Sequence, residues 1–354
     1  MTVSVAHAEA VIGEVAGRAV ALRYAGSEGE YAALRRTAML VDRSHRGRMS
    51  FEGDKRVETL TGLVTNDVAA LSPGTGQYAA ALTPRGKIIA DVRIFAREHE
   101  LLVDVPVRAA ASWSAMVRKF VNPRATRYAD RTGVLSDIGI FGVRARSIVA
   151  ALTGVSADAL GAFAPYAHVA AESDGMPMLV SRAPDVGIEG YDLFLPADAM
   201  AEIWRRATEL GAVPTGLDAW EIARIEAGRP EWGIDIDEST IPQEANLDEL
   251  HAISYTKGCY TGQETVARVH FRGHVNRHLR GLKSASDGAL PRGAQLFDAQ
   301  DKPVGDVRSS GVSPRLGSIA MAMVRREIEP GAHVRARWEG GEATVGVIAL
   351  PFPD

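Results

Sequence analysis

The one cysteine of the chain, Cys259, lies in the octapeptide Lys257-Gly258-Cys259-Tyr260-Thr261-Gly262-Gln263-Glu264. A thiol does its chemistry as the thiolate, and a nearby lysine or a helix N-terminus favours that anion. The octapeptide supplies Lys257 and predicts the helix. Thr261 and Glu264 have the Thr-x-x-Glu spacing of a capping box, so a helix is expected to start near Thr261. Val266 and Val269 continue it and Gly273 closes it, while Gly258 permits a tight, left-handed backbone just before the cysteine. The same residues also describe a buried structural cysteine beside an ordinary capped helix, because free cysteine often packs as a small hydrophobe. From the residues alone both readings stand.

A carboxylate is the second candidate. Asp91 interrupts the apolar run Ile88-Ile89-Ala90-Asp91-Val92-Arg93-Ile94-Phe95 and by alternation shares a face with Ile89 and Arg93. On an interior face it needs a partner or a ligand. On a wet face Asp91 and Arg93 are simply strand neighbours. The loop Asp42-Arg43-Ser44-His45-Arg46-Gly47-Arg48 either meets an anion or is a solvated turn.

Metal chemistry is not expected. His270, His274 and His278 are spaced four apart, but Gly273 breaks the helix between them and His278 falls in the next strand. The acidic stretch Asp235-Ile236-Asp237-Glu238 lacks the spacing of a calcium loop. Together with Arg268, Arg272, Arg277 and Arg280 the three histidines form a basic rim, which either meets polyanionic ligand tails or is solvated.

The elements that must position these groups follow from pattern. Weakly alternating strands are expected over 3–25, then a helix capped by Ser27 with Tyr31, Leu34 and Ala38 on one face. Gly53-Asp54 opens a second helix. Strands Gln77–Thr83 and Ile88–Ala96 flank the turn Pro84-Arg85-Gly86-Lys87, and strand Glu100–Val105 leads into a helix over Val107–Val121. That order predicts an antiparallel α+β segment, not a dinucleotide-binding unit. Further on come a strand within Gly133–Gly142, a short helix near 144–152, a strand ending Tyr191-Asp192-Leu193-Phe194-Leu195, and helices Ala197–Leu210 and Leu217–Ala227. The last puts Trp220 and Arg224 on one face. From Leu279 to Phe352, short strands alternate with Gly/Pro turns, the pattern of a small β-barrel.

Composition sets the bounds. Hydrophobic content of 46% with 24% charged residues excludes a disordered chain. A net charge of −4 argues against bulk nucleic-acid binding. One cysteine forbids an internal disulfide and a four-cysteine iron–sulfur site, and suits a reducing compartment. The Ala/Val-rich N-terminus is broken by Glu9, Glu14 and Arg18 and makes a poor signal peptide, and no apolar run would span a membrane. A soluble, cytoplasmic protein is expected.

The octapeptide, its continuation through Arg268 and Arg272-Gly273, and the preceding Ile241-Pro242-Gln243 and Asn246-Leu247 resemble the signature of YgfZ-type folate-binding proteins, relatives of the glycine-cleavage T-protein (aminomethyltransferase). The wider superfamily is matched in order by Arg46-Gly47-Arg48, Thr65-Asn66-Asp67-Val68, Gly76–Asp91, Gly190–Leu195 and Arg224-Ile225-Glu226-Ala227-Gly228. The resemblance implies an α+β, three-lobed, GcvT-like fold with antiparallel sheets and a small C-terminal β-barrel. It divides the chain into folate-binding lobes at 1–50 plus 125–275, an inserted lobe at 51–124 carrying the Asp91 hairpin, and the barrel at 276–354.

The resemblance further implies tetrahydrofolate or a derivative as ligand, held by Tyr78, Asp91, Asp192 and Arg224, with Asp91 facing its reactive end. Cys259 would be a reactive thiol beside that cavity, its pKa lowered by Lys257. The function implied is support of iron–sulfur cluster assembly or repair, with iron–sulfur proteins or assembly factors as partners. The alternative is a folate-dependent aminomethyl transferase with Asp91 as general base or electrostatic partner at the reactive folate nitrogen. The chain departs from the transferases in three places: Ala90 stands before Asp91 where a second acid is usual, residue 192 is Asp where Glu is common, and Pro184-Asp185-Val186-Gly187 stands where Gly-Tyr-Thr-Gly is expected.

Overall fold

The computed structural model describes residues 10–353. The alternating N-terminal stretch forms a hairpin of Val11–Val15 and Arg18–Arg23; residues 3–9 of that expectation lie outside the described residues. The first helix is Ser27–Arg36, but Ser27 is not its cap. Gly26 takes the cap position in an extended conformation, and no side chain caps the helix. Glu30 instead turns its carboxylate back to accept from the backbone N–H groups of Tyr24, Ala25 and Gly216.

The chain falls into two units. The first comprises Met1–Ala81, Ala90–Trp220 and Ala252–Tyr260. It contains a six-stranded sheet in the order His168–Ser173, Met176–Arg182, Gly190–Pro196, Leu135–Phe141, Ala38–Asp42, Ala212–Pro214. The pairs are antiparallel except the last, where Ala212–Pro214 runs parallel to Ala38–Asp42. Helices Ala145–Thr153 and Met200–Glu209 cover one face, burying Ile148, Leu152, Ile203 and Trp204 against Ile138, Ile140 and Leu193. Gly190 is opposite Phe141, whose ring occupies the space where a Cβ at 190 would lie 2.0 Å from Cδ1.

A five-stranded antiparallel sheet has the order Gly76–Leu82, Ile88–Ala96, Glu100–Val105, Gly47–Glu52, Arg127–Asp130. Its hairpin and third strand sit within a residue of the boundaries the alternation predicts. The expected helix over 107–121 is a 3-10 turn at Val107–Ala109 continued by Ala110–Phe120.

The second unit comprises Leu82–Ile89, Glu221–His251 and Thr261–Asp354. Its C-terminal part is a closed six-stranded barrel: Arg277–Ser284, Gly317–Arg325, Pro303–Ser313, Gln295–Phe297, His333–Trp338, Gly341–Ile348. Arg277–Ser284 pairs with Gly317–Arg325 and with Gly341–Ile348, which closes the sheet and removes its free edges. Leu282, Val307, Ala322, Val334 and Val347 fill the interior. The α+β class, the antiparallel sheets and the C-terminal barrel are as the sequence predicts. Among the described residues no helix is long and apolar enough to cross a membrane.

Candidate functional site

Asp91 faces inward, not toward water. Tyr78 on the neighbouring strand donates its hydroxyl to Asp91 Oδ2 at 2.9 Å, and each of the two residues is 6% exposed. Asp91 Oδ1 is buried and has no hydrogen-bond partner among the described residues. Burial raises the Asp91 pKa above the usual carboxylate value, against the pull of Arg46 and of the Tyr78 hydrogen bond.

The Tyr78 ring is braced by Tyr166, stacked on it with centroids 6.3 Å apart and planes 19° from parallel. Tyr166 holds φ at +64°, a left-handed conformation that costs a bulky residue about 1–3 kcal/mol. Gly76 is what lets the two segments meet: a Cβ there would lie 2.6 Å from the Tyr166 carbonyl oxygen. Gln77 Nε2 is a buried donor with no partner among the described residues. Neither Tyr166 nor Gln77 is signalled by the sequence pattern.

Behind this pair lies a buried network of four arginines and four aspartates, all in the first unit. Arg43 Nη1 donates to Asp192 at 3.0 Å, and Arg43 Nη2 pairs with Asp185 at 2.7 Å. Arg93 reaches Asp192 through Nη1 and Asp104 through Nη2 at 2.8 Å. Arg46 Nε donates to Asp104 at 2.7 Å, and Arg48 Nη2 to Asp137 at 3.3 Å. The basic loop at 42–48 is thus no solvated turn, and the anions it meets include the protein's own aspartates.

Electrostatics follow from this crowding. Burial would raise the Asp104 pKa, but the Arg46, Arg93 and Arg48 guanidiniums overcome it and hold the group well below the ordinary range. At Asp137 burial prevails, aided by the negative charge of Asp192, and the pKa lies above the usual value. Burial and neighbouring Arg46 keep His45 neutral, and its Nδ1 has no partner among the described residues. Arg43 also stacks over Trp220, 4.8 Å from the ring centroid.

Asp192, expected from the resemblance to meet a pterin, is 1% exposed with both oxygens taken by Arg43 and Arg93. Arg224 belongs to the second unit and is likewise engaged. It donates to Asp235 Oδ2 at 2.7 Å, to Glu221, and to the Arg229 carbonyl at 2.6 Å.

The octapeptide differs from its expected geometry. Its helix is Gln263–Arg272, with Gly262 at the cap and no side-chain cap bond, so the Thr261–Glu264 capping box does not form. The left-handed glycine is Gly262, at φ +83°, and not Gly258. A Cβ at 262 would lie 2.5 Å from the Thr83 carbonyl oxygen, so the close approach sets the chain path here. Cys259 is exposed, which removes the buried structural reading.

Lys257 is 8% exposed and donates to the carbonyls of Thr61 at 2.5 Å, Val64 at 2.6 Å and Asn66 at 2.9 Å. Burial lowers its pKa to about 8, and the ammonium also sits 4.7 Å from the Tyr260 ring centroid. No hydrogen bond joins it to Cys259 among the described residues. Glu264 and Arg268 are exposed, Gln263 is half-buried, and Gln243 Nε2 donates to the Val266 carbonyl at 2.9 Å. Among the described residues no group of three or more His, Cys, Asp or Glu could hold a metal ion.

Comparison with known proteins agrees with this architecture. The GCVT N-terminal domain model matches residues 1–254, and the glycine cleavage T-protein C-terminal barrel domain matches residues 277–354. An aminomethyltransferase of Saccharopolyspora erythraea is 30% identical over 347 residues, covering 96% of this chain and 93% of that protein. One from Rubrobacter xylanophilus is 30% identical over 342 residues, covering 96% and 89%. The crystal structure of glycine cleavage system aminomethyltransferase T from Bartonella henselae superposes with a TM-score of 0.88 at 25% identity, covering 98% of this chain and 95% of that one. The chain belongs to the glycine cleavage T-protein family.

Proposed function

We propose that the protein binds tetrahydrofolate and uses it in one-carbon transfer of the aminomethyl type. The observation that carries this reading is the buried Tyr78–Asp91 pair, with one carboxylate oxygen anchored and the other without a partner among the described residues. A flat pterin presents N–H groups that a desolvated carboxylate accepts well, and Asp91 Oδ1 offers such an acceptor. Bound folate would supply the nitrogen that receives the one-carbon unit.

The chain's part is to orient that nitrogen and manage its proton. Tyr78 fixes Oδ2, so Oδ1 is the oxygen that takes or returns the proton. The raised pKa keeps the carboxyl closer to the working range of a general acid–base. Tyr166 braces Tyr78, and Asp192 acts as a positioning residue through Arg93, which lies on the Asp91 strand. Relatives named aminomethyltransferase over nearly the whole chain support the transfer step.

The test is calorimetry with tetrahydrofolate on wild type and Asp91→Asn, followed by a turnover assay with an aminomethyl-loaded lipoyl carrier protein. Methylene-tetrahydrofolate formed by wild type and abolished in Asp91→Asn is the expected result. Folate binding without turnover on any carrier removes the transfer step, and absence of folate binding removes the whole reading.

A second reading rests on a separate observation, the exposed Cys259 in its octapeptide. It makes the chain a YgfZ-type folate-binding protein of the cytoplasm, supporting iron–sulfur cluster assembly or repair, with Cys259 as the reactive thiol toward iron–sulfur proteins or assembly factors. Unchanged iron–sulfur enzyme activities in a deletion strain carrying Cys259→Ala would overturn it.

A further inference from the structure

The second unit holds a cavity of about 700 Å³ lined by the hairpin tip at 84–87, the 3-10 turn Pro242–Ala245 with Ile241 before it, and the helix Gln263–Arg272 with the residues after it. Its wall carries Arg85, Lys87, Arg268, Arg272 and His274. Arg85, Arg268 and Arg272 make no ion pair among the described residues, and Lys87 donates only to the Ser239 carbonyl. Two acids share the wall. Glu244 is already neutralised by Arg277 at 3.0 Å, and Glu264 is exposed and unpaired among the described residues.

The backbone is built to make this concentration of charge. Gly86, at φ +75°, packs so tightly on the helix that a Cβ would lie 2.7 Å from Thr265 Cβ. Gly262, at φ +83°, does the same against Thr83 and Gly86 from the other side. Two left-handed glycines thus press the hairpin tip onto the helix and bring Arg85 and Lys87 to the same wall as Arg268 and Arg272. Collecting an excess of like charges opposes folding. In a chain of net charge −4 it is not a consequence of composition.

The geometry points to a binding site, in this cavity, for a small ligand carrying several carboxylates or phosphates. Arginine forks on the helix and on the hairpin would each take an anionic group bidentately. The volume suits a ligand of a dozen or more heavy atoms over a single inorganic ion. The site lies wholly in the second unit and does not rest on the folate reading.

The test is calorimetric titration of the full-length protein at low salt with two probes, citrate and tripolyphosphate, which separate a carboxylate ligand from a phosphate one. Binding of either is expected, weakening as salt is raised. The double variant Arg268→Ala/Arg272→Ala should weaken it roughly tenfold, and Arg85→Ala alone by a smaller factor. Glu264→Gln should strengthen it, because that substitution removes the unpaired acid. Arg118→Ala, on an exposed helix face of the first unit, should leave it unchanged. All the substituted residues are exposed, and circular dichroism of each variant checks that the fold is retained. Absence of binding by both probes at low salt, or binding that the arginine substitutions do not weaken, overturns the proposal.

Discussion

The Tyr78 hydroxyl donates to one oxygen of Asp91 at 2.9 Å and leaves the other oxygen buried without a partner among the described residues. A carboxyl held this way costs stability when it ionises. Its folded pKa is above the ordinary 3.8, so the native state binds its proton more tightly than the unfolded chain does. Stability therefore falls as pH rises from that ordinary value through the raised one. Asp91→Asn removes that fall, and urea denaturation should show the variant gaining on wild type across this window. Tyr78→Phe deletes a bond that favours the carboxylate. The acidic limb of any folate-dependent pH–rate profile should then move to higher pH, and an unmoved limb would remove Asp91 from the chemistry.

Arg93 is the hub of the buried network, pairing with Asp104 and Asp192 and approaching Asp137 and Asp185 at 3.5 Å each. Truncating one partner of a buried ion pair leaves its counter-charge unpaired, at about 3–5 kcal/mol. Arg93→Ala should therefore lose roughly that much in denaturant unfolding, or fail to accumulate folded. A combined Arg93→Met/Asp192→Asn change, which removes one positive and one negative charge, should recover part of the loss. No recovery would mean that Asp104 dominates the coupling.

What was legible in sequence is what depends on neighbours in sequence. The hairpin of Gly76–Leu82 and Ile88–Ala96 follows from alternation and one Pro/Gly turn. The barrel follows from evenly spaced strands and turns. Asp91 was legible as an anomaly in an apolar run, although its inward face was not. The network was not legible, because Arg43 meets Asp192 across 149 positions of chain. The capping box at Thr261 misled for the same reason: a close approach by Thr83 imposes a left-handed Gly262, and the helix begins after it. Tyr166 carried no local signal at all.

Lys257 illustrates a side chain that sequence assigns to one neighbour and structure to three others. Its ammonium satisfies the carbonyls of Thr61, Val64 and Asn66. Lys257→Met should strand them and destabilise the protein by about 2–4 kcal/mol. Lys257→Arg should rescue poorly, because a planar fork cannot present three converging donors. Ellman titration of the single thiol in the same variants separates the two roles. A fall in Cys259 labelling with stability intact would assign Lys257 to thiol activation instead.

Arg224 gives the sharpest separation of a structural from a ligand-contacting role. It is 3% exposed, and its guanidinium joins Asp235, Glu221 and the Arg229 carbonyl. Asp235 in turn accepts from the Ser309 hydroxyl at 2.5 Å, which ties this helix to the barrel strand Pro303–Ser313 within the second unit. Arg224→Ala leaves Asp235, itself fully buried, without its cation. The expected result is a loss of about 3–5 kcal/mol in denaturant unfolding. Arg224→Ala/Asp235→Ala should be more stable than Arg224→Ala alone. A direct ligand contact predicts the opposite pattern: weakened tetrahydrofolate binding in calorimetry at unchanged stability, with no rescue by the second substitution.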